Sequence, residues 1–256
     1  MPGWIVELVR LVAVPVIFGL CAALAAVGLV PCWYLWHAIQ ASCGDFVAFL
    51  SMPFLYFVWG VTYCVGAVLF KLALLYHPRA GRHGLFAWPA VGWGLTGAVT
   101  NFANVMFLVH FKGTPLLTWW YRGLGAKIGA RVTINTTRIF DWNLVTIGDD
   151  VVLGGDCVIM AHSVEAGQMH MRSIVIGNGA TVGGEAKVMP GCRMGEKAVL
   201  GASSLLTKET TIPAHQLWGG VPARFLKDRS PSALTDEPVT TTPTTTPTTT
   251  TTTTTA

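Results

Sequence analysis

Two histidines, His162 and His170, fall within one short stretch, Met160–Ser173, with Glu165 between them. A histidine with an ordinary pKa of about 6.5 takes up a proton at neutral pH, as a general base must. A carboxylate beside such a ring can hold it in a working orientation. His162, His170 and Glu165 are therefore the candidates for proton transfer and substrate contact. A catalytic zinc centre uses three protein ligands plus a water, and only these two histidines are close in sequence, so no metal site is expected. The six cysteines (Cys21, Cys32, Cys43, Cys64, Cys157, Cys192) contain no Cys-x-x-Cys pair and read as small apolar side chains. No Gly-x-x-x-x-Gly-Lys-Ser/Thr loop occurs, which removes a nucleoside triphosphate as donor.

The elements that must carry these residues are legible from a period of six. Ile176, Val182, Val188, Met194, Leu200, Leu206 and Ile212 recur at that interval. A small residue stands two positions before each later member: Ala180, Ala186, Cys192, Ala198, Ser204, Thr210. Gly177, Gly183, Gly195 and Gly201 follow the aliphatic residue directly. Ile147, Leu153 and Ile159 keep the same register, and a weaker run begins at Ile128 and Ile134. A six-residue repeat is the mark of a parallel β-helix, whose coil is a triangle of short strands. The aliphatic and small side chains point inward and stack between coils. The glycines are expected at corners, where they tolerate positive φ. The register breaks once: Ile159 and Ile176 are seventeen apart. Insertions fit such a coil only at its corners, as outward loops, and this loop carries His162, Glu165 and His170.

The amino-terminal half has another character. Residues 11–44, 46–70 and 84–111 contain no Asp, Glu, Lys or Arg. A spanning helix needs about 20 mostly apolar residues, so about three membrane helices are expected. Trp4, Trp33, Tyr34, Trp36, Trp88 and Trp93 lie near the ends of these stretches, as interfacial aromatics do. Basic residues follow both the second stretch (Arg79, Arg82) and the third (Lys112, Arg122, Lys127, Arg131). The positive-inside rule cannot put both ends of one helix on the same side, so the number of crossings stays open. Lys and Arg are not clustered as a nucleic-acid binder requires. Residues 231–256 are nearly all Thr and Pro, a composition that cannot bury enough apolar surface to fold.

The repeats resemble the hexapeptide-repeat acyltransferases, and so does the ending Trp218-Gly219-Gly220-Val221-Pro222-Ala223-Arg224. Further segments are similar to the carboxyl-terminal modules of poly-lysine synthetase-like non-ribosomal peptide synthetases, in which membrane helices alternate with β-helices. These are Gly113-Thr114-Pro115, Trp119-Trp120, Leu124–Gly129, Asp141, Ala161-His162 and Pro190-Gly191. The likeness covers about residues 113–224.

It implies a left-handed parallel β-helix after transmembrane α-helices. The divisions are a membrane domain at 1–122, a β-helix with its cap at 123–229, and a disordered tail at 230–256. It implies His162 as the catalytic base; Glu165 and His170, read from their place on the same loop, are the expected substrate contacts. The donor is an acyl-coenzyme A or a carrier-protein phosphopantetheine thioester, its arm lying along Gly201–Lys208, with Ala202, Lys208 and Arg224 as its contacts. Such enzymes are typically trimers with sites between subunits, so a homotrimer, or a hetero-assembly with other β-helix modules, is expected. The protein is expected to sit in the bilayer with its β-helix in the cytosol. Three readings compete: a membrane acyltransferase, a peptide-bond-forming module acting with a separate carrier chain, and a non-catalytic assembly scaffold.

Overall fold

The computed structural model describes residues 3–230, with side chains described from residue 11. The expected Thr/Pro tail and the Trp4 side chain lie outside that description.

Helix α1 (Gly3–Cys43) runs without a break through the first charge-free stretch, with Pro15 and Pro31 inside it. A short α2 (Asp45–Leu50) turns the chain into α3 (Met52–Ala73), which packs back along α1. Within this pair, Leu11–Cys43 and Met52–Ala73 are long and apolar enough to cross a bilayer, and both leave most of their apolar surface uncovered. The third charge-free stretch behaves differently. It holds α4 (Trp88–Met106), which is not among the helices that pass the same test. Instead α4 lies against α3 and the β-helix, with Val99 and Ala103 buried and Asn104 Nδ2 donating to Thr137 O at 3.0 Å. Helices α3, α4 and α5 (Pro115–Gly123) each begin with a proline at the first or second position. There the missing N–H costs nothing and the fixed φ suits a helix. Helix α5 seals the first coil with Leu117, Trp120 and Tyr121. The buried Lys71 of α3 donates from Nζ to Leu124 O, tying the helical pair to that seal.

From Lys127 onward short strands stack in parallel on three faces. One face pairs Ile147 with Ile176, Ile176 with Met194 and Met194 with Ile212. A second pairs Leu153 with Val182 and Val182 with Leu200. The third pairs Ile159 with Val188 and Val188 with Leu206. Every aliphatic residue of the repeat from Ile147 to Ile212 is at most 2% exposed, as an inward ladder requires.

The glycines serve another purpose than the expected one. The left-handed corners fall on Asp150, Asp156, Gly179, Glu185, Gly191, Lys197, Ser203, Glu209 and His215. Gly183 is not among them. A Cβ there would lie 2.4 Å from Ala202 N in the next coil, so its absence lets the coils close to hydrogen-bonding distance. Gly154, Gly177 and Gly195 meet the same constraint.

The break in register is a β-hairpin rather than an irregular loop. Strand His162–Glu165 pairs antiparallel with Gln168–Met171, and the outer side of that second strand pairs with Gly81–Gly84. The amino-terminal half thus adds a strand to an excursion from the β-helix.

Candidate active site

Phe140-Asp141-Trp142 turns the chain at the start of the β-helix. Asp141 takes a left-handed conformation (φ 57°, ψ 46°) that Asp tolerates better than most residues. Trp142 Nε1 donates to Ile139 O at 2.7 Å and fixes the turn. The turn aims the Asp141 carboxylate at the first residues of the hairpin. Its Oδ2 accepts from the backbone N–H of Ala161 at 3.0 Å and lies 2.6 Å from Nδ1 of His162. The carboxylate side chain is fully buried, and that of His162 is 11% exposed.

Aromatic rings fix the imidazole from the sides. Trp93 of α4 meets it edge-on, with ring centroids 4.7 Å apart, and Phe140 stands at 6.3 Å. With Nδ1 donating to the carboxylate, the lone pair belongs to Nε2, which has no hydrogen-bond partner among the described residues. An oriented, half-enclosed imidazole with a free Nε2 is built to accept a proton.

A cavity of about 260 Å³ opens beyond Trp93, Phe140 and Asp141, the residues that flank the ring. Trp93, Gly97, Thr100 and Asn104 of α4 line one side, and Ile139 to Trp142 the other. Burial and the charge of Asp141 raise the nearby Tyr76 phenol well above its ordinary range. Burial also pushes the Cys157 thiol up to about 12. A thiol held so high carries almost no thiolate at neutral pH and cannot serve as nucleophile.

The other sequence candidates fall elsewhere. Glu165 lies at the hairpin tip, exposed, in an ion pair with Lys208. His170 stands opposite Ser163 on one side and Arg82 on the other, beyond the first residue pair of the hairpin. It lines a separate cavity with Arg82 and Arg172. The structure does not bring either residue to His162. Ala202 and Lys208 occupy exposed corners, and Arg224 is on the exposed terminal strand. Ser204 Oγ donates to Ala202 O and accepts from Gly220 N–H, which draws the Trp218–Arg224 turn over the Ala202 corner. In the sequence Asp141 is a matching letter without a role. No spacing rule joins it to His162, because the contact forms between neighbouring coils. Trp93, expected at a membrane interface, packs on the catalytic candidate instead.

No family model matches the chain. It is 31% identical over 172 residues to the delta-poly-L-ornithine synthetase of Acinetobacter baumannii, covering 64% of this chain and 13% of that protein. It is 33% identical over 101 residues to the galactoside O-acetyltransferase of Escherichia coli, covering 37% of this chain and 48% of that enzyme. Among solved structures, a hexapeptide-repeat acetyltransferase of Vibrio cholerae, complexed with acetyl coenzyme A, aligns at 27% identity and a TM-score of 0.39. That alignment covers 42% of this chain and 62% of that one. The chain therefore spans less than half the length of the two curated relatives. Its inward ladder of aliphatic residues and these sequence matches agree: over its β-helix the chain is similar to hexapeptide-repeat acyltransferases.

Proposed function

We propose that the protein is a membrane-anchored acyltransferase that moves an acyl group from a thioester, in the simplest case acyl-coenzyme A, to an amine or hydroxyl. The observation that carries this reading is the buried Asp141–His162 pair with a free Nε2. In the reaction His162 Nε2 takes a proton from the acceptor as its nitrogen or oxygen attacks the thioester carbonyl. The carbon–sulfur bond then breaks, the proton passes to the leaving sulfur, and an amide or ester and a free thiol result. Asp141 keeps the ring in the proton-accepting tautomer and stabilises its charged form.

The pair α1 and α3 supports the anchor. If these two helices cross and α4 stays with the β-helix, Arg79 and Arg82 lie on the same side as Lys112, Arg122, Lys127 and Arg131. The positive-inside rule then has a single solution, with the β-helix in the cytosol. Helix α4 supplies one wall of the site from within the chain. The solvent-facing corners at Ala202 and Lys208 remain for the donor arm and for a second β-helix, as in a homotrimer or a hetero-assembly.

A second reading follows from the match to the poly-L-ornithine synthetase. The same pair would form a peptide bond from an aminoacyl thioester presented by a carrier protein. The test for both is turnover with acetyl-coenzyme A and with carrier-bound thioesters. His162→Ala is expected to lower the rate by about a hundredfold or more. His162→Gln, which keeps a hydrogen bond but accepts no proton, should be nearly as damaging. Parent-like turnover in both variants would remove His162 from the mechanism.

A further inference from the structure

The three-stranded sheet that joins the two halves of the chain has two unlike faces. Met169 and Met171 are at most 2% exposed and share their face with His162, which stands opposite Met171. Alternate residues turn to the other face. There Arg82 stands opposite His170, and Arg172 follows two positions further on. These three residues line a cavity of about 370 Å³ whose lining contains no Asp or Glu. The Arg82 guanidinium has no hydrogen-bond or ion-pair partner among the described residues. Arg172 pairs with Glu209 through Nη2 at 3.2 Å, which leaves other N–H groups of its fork to donate. Glu165, the carboxylate at the hairpin tip, is taken up by Lys208.

The surroundings of this cavity resemble a bilayer surface. Strand Gly81–Gly84 is the next regular element after α3, and Leu85, Phe86 and Trp88 follow it at 40%, 54% and 50% exposure. Arg79 adds a further exposed cation on the approach. Uncovered aromatic and basic residues beside the end of a spanning helix suit the headgroup layer. We propose that the cavity binds the phosphate of an anionic membrane lipid between Arg82 of the amino-terminal half and Arg172 of the β-helix. Planar guanidinium forks meet phosphate oxygens in pairs, and His170 offers a ring N–H in either tautomer. A free phosphate would satisfy the same donors but would make no use of the apolar rim, so the rim decides for a lipid. The bound phosphate ties strand Gly81–Gly84 to the hairpin whose other face carries His162. Lipid composition thereby reaches the proposed base through a single sheet. The proposal rests on α1 and α3 lying in the bilayer and is independent of the acyl-transfer chemistry.

The test is native mass spectrometry of the full chain in detergent, titrated with dioleoyl-phosphatidylglycerol and with dioleoyl-phosphatidylcholine. The anionic lipid is expected to bind at least tenfold more tightly. Arg82→Gln and Arg172→Gln should each weaken it about fivefold. Both side chains are exposed, so neither change threatens the fold. Arg131→Gln, on the first coil and paired with Asp150, should leave the affinity unchanged. Equal binding of the two lipids, or equal weakening by all three variants, would reduce the site to diffuse surface charge and overturn the proposal. Displacement of phosphatidylglycerol by inorganic phosphate at matching concentration would assign the cavity to free phosphate and overturn it too. A chain that stays in solution without detergent would remove the anchor and the site together. A detergent-dependent chain with no headgroup preference would remove the site alone.

Discussion

Asp141 does two things that no other residue at its position does together. It occupies a left-handed backbone conformation, and it places a buried carboxylate oxygen 2.6 Å from His162 Nδ1. Asp141→Asn separates the two. Asparagine tolerates that conformation equally well, but its amide can donate to Nδ1 and move the ring proton to Nε2. The expected result is a fall in turnover of about a hundredfold to ten-thousandfold with a melting temperature near the parent's. A large loss of stability with retained activity would show that Asp141 is structural. The sequence discloses His162 because it stands where the period of six fails. It does not disclose Asp141, because the carboxylate reaches the ring across neighbouring coils and no pattern within one segment records that. Glu165 is the nearer carboxylate in sequence. Strand geometry carries it to the hairpin tip, to pair with Lys208.

At the scale of elements, the coil is legible almost throughout, because its core is one residue type at one interval and each strand is defined by its neighbour. The role of the glycines is not, because a sequence shows that a side chain is missing without showing what approaches. Two substitutions distinguish close approach from backbone freedom. Gly183→Ala places a methyl group against the backbone of the next coil and is expected to cost about 1–3 kcal/mol. Gly155→Ala meets nothing within 4 Å and has no positive φ, so it should be neutral or stabilise by up to about 1 kcal/mol. Chemical denaturation of the two variants checks this, and equal costs would contradict it. The hairpin looks like a loop in the sequence for a related reason. Its second strand completes a sheet with Gly81–Gly84, a partner distant in sequence that carries no β signature of its own.

For the whole molecule, the charge-free stretches mark where apolar helix occurs but not what covers it. The first two leave their surface bare, whereas α4 buries much of its own against α3 and the β-helix. Topology is therefore open to measurement. Cys43 is the one exposed cysteine among the described residues, at the turn between α1 and α2. A membrane-impermeant maleimide applied to intact cells is expected to label Cys43 and not a cysteine introduced by Arg79→Cys. The reverse pattern would turn the protein over, and labelling of both would place the two turns on one face.

The shared sheet has a practical consequence for anyone preparing the β-helix half alone. The β-helix and the helix α5 that seals it begin at Pro115, which invites cutting the chain just before it to obtain a soluble fragment. Such a fragment keeps every coil, and its spectrum would look native. It loses Trp93 from the face of His162, Asn104 from the cavity wall and Gly81–Gly84 from the edge of the hairpin. The hairpin would then present an unpaired edge next to the imidazole, open to pairing with another copy. An inactive or aggregating fragment would reflect the position of the cut and leave the proposed chemistry of the full chain untested by that result. A useful truncation has to begin before Gly81 and keep α4.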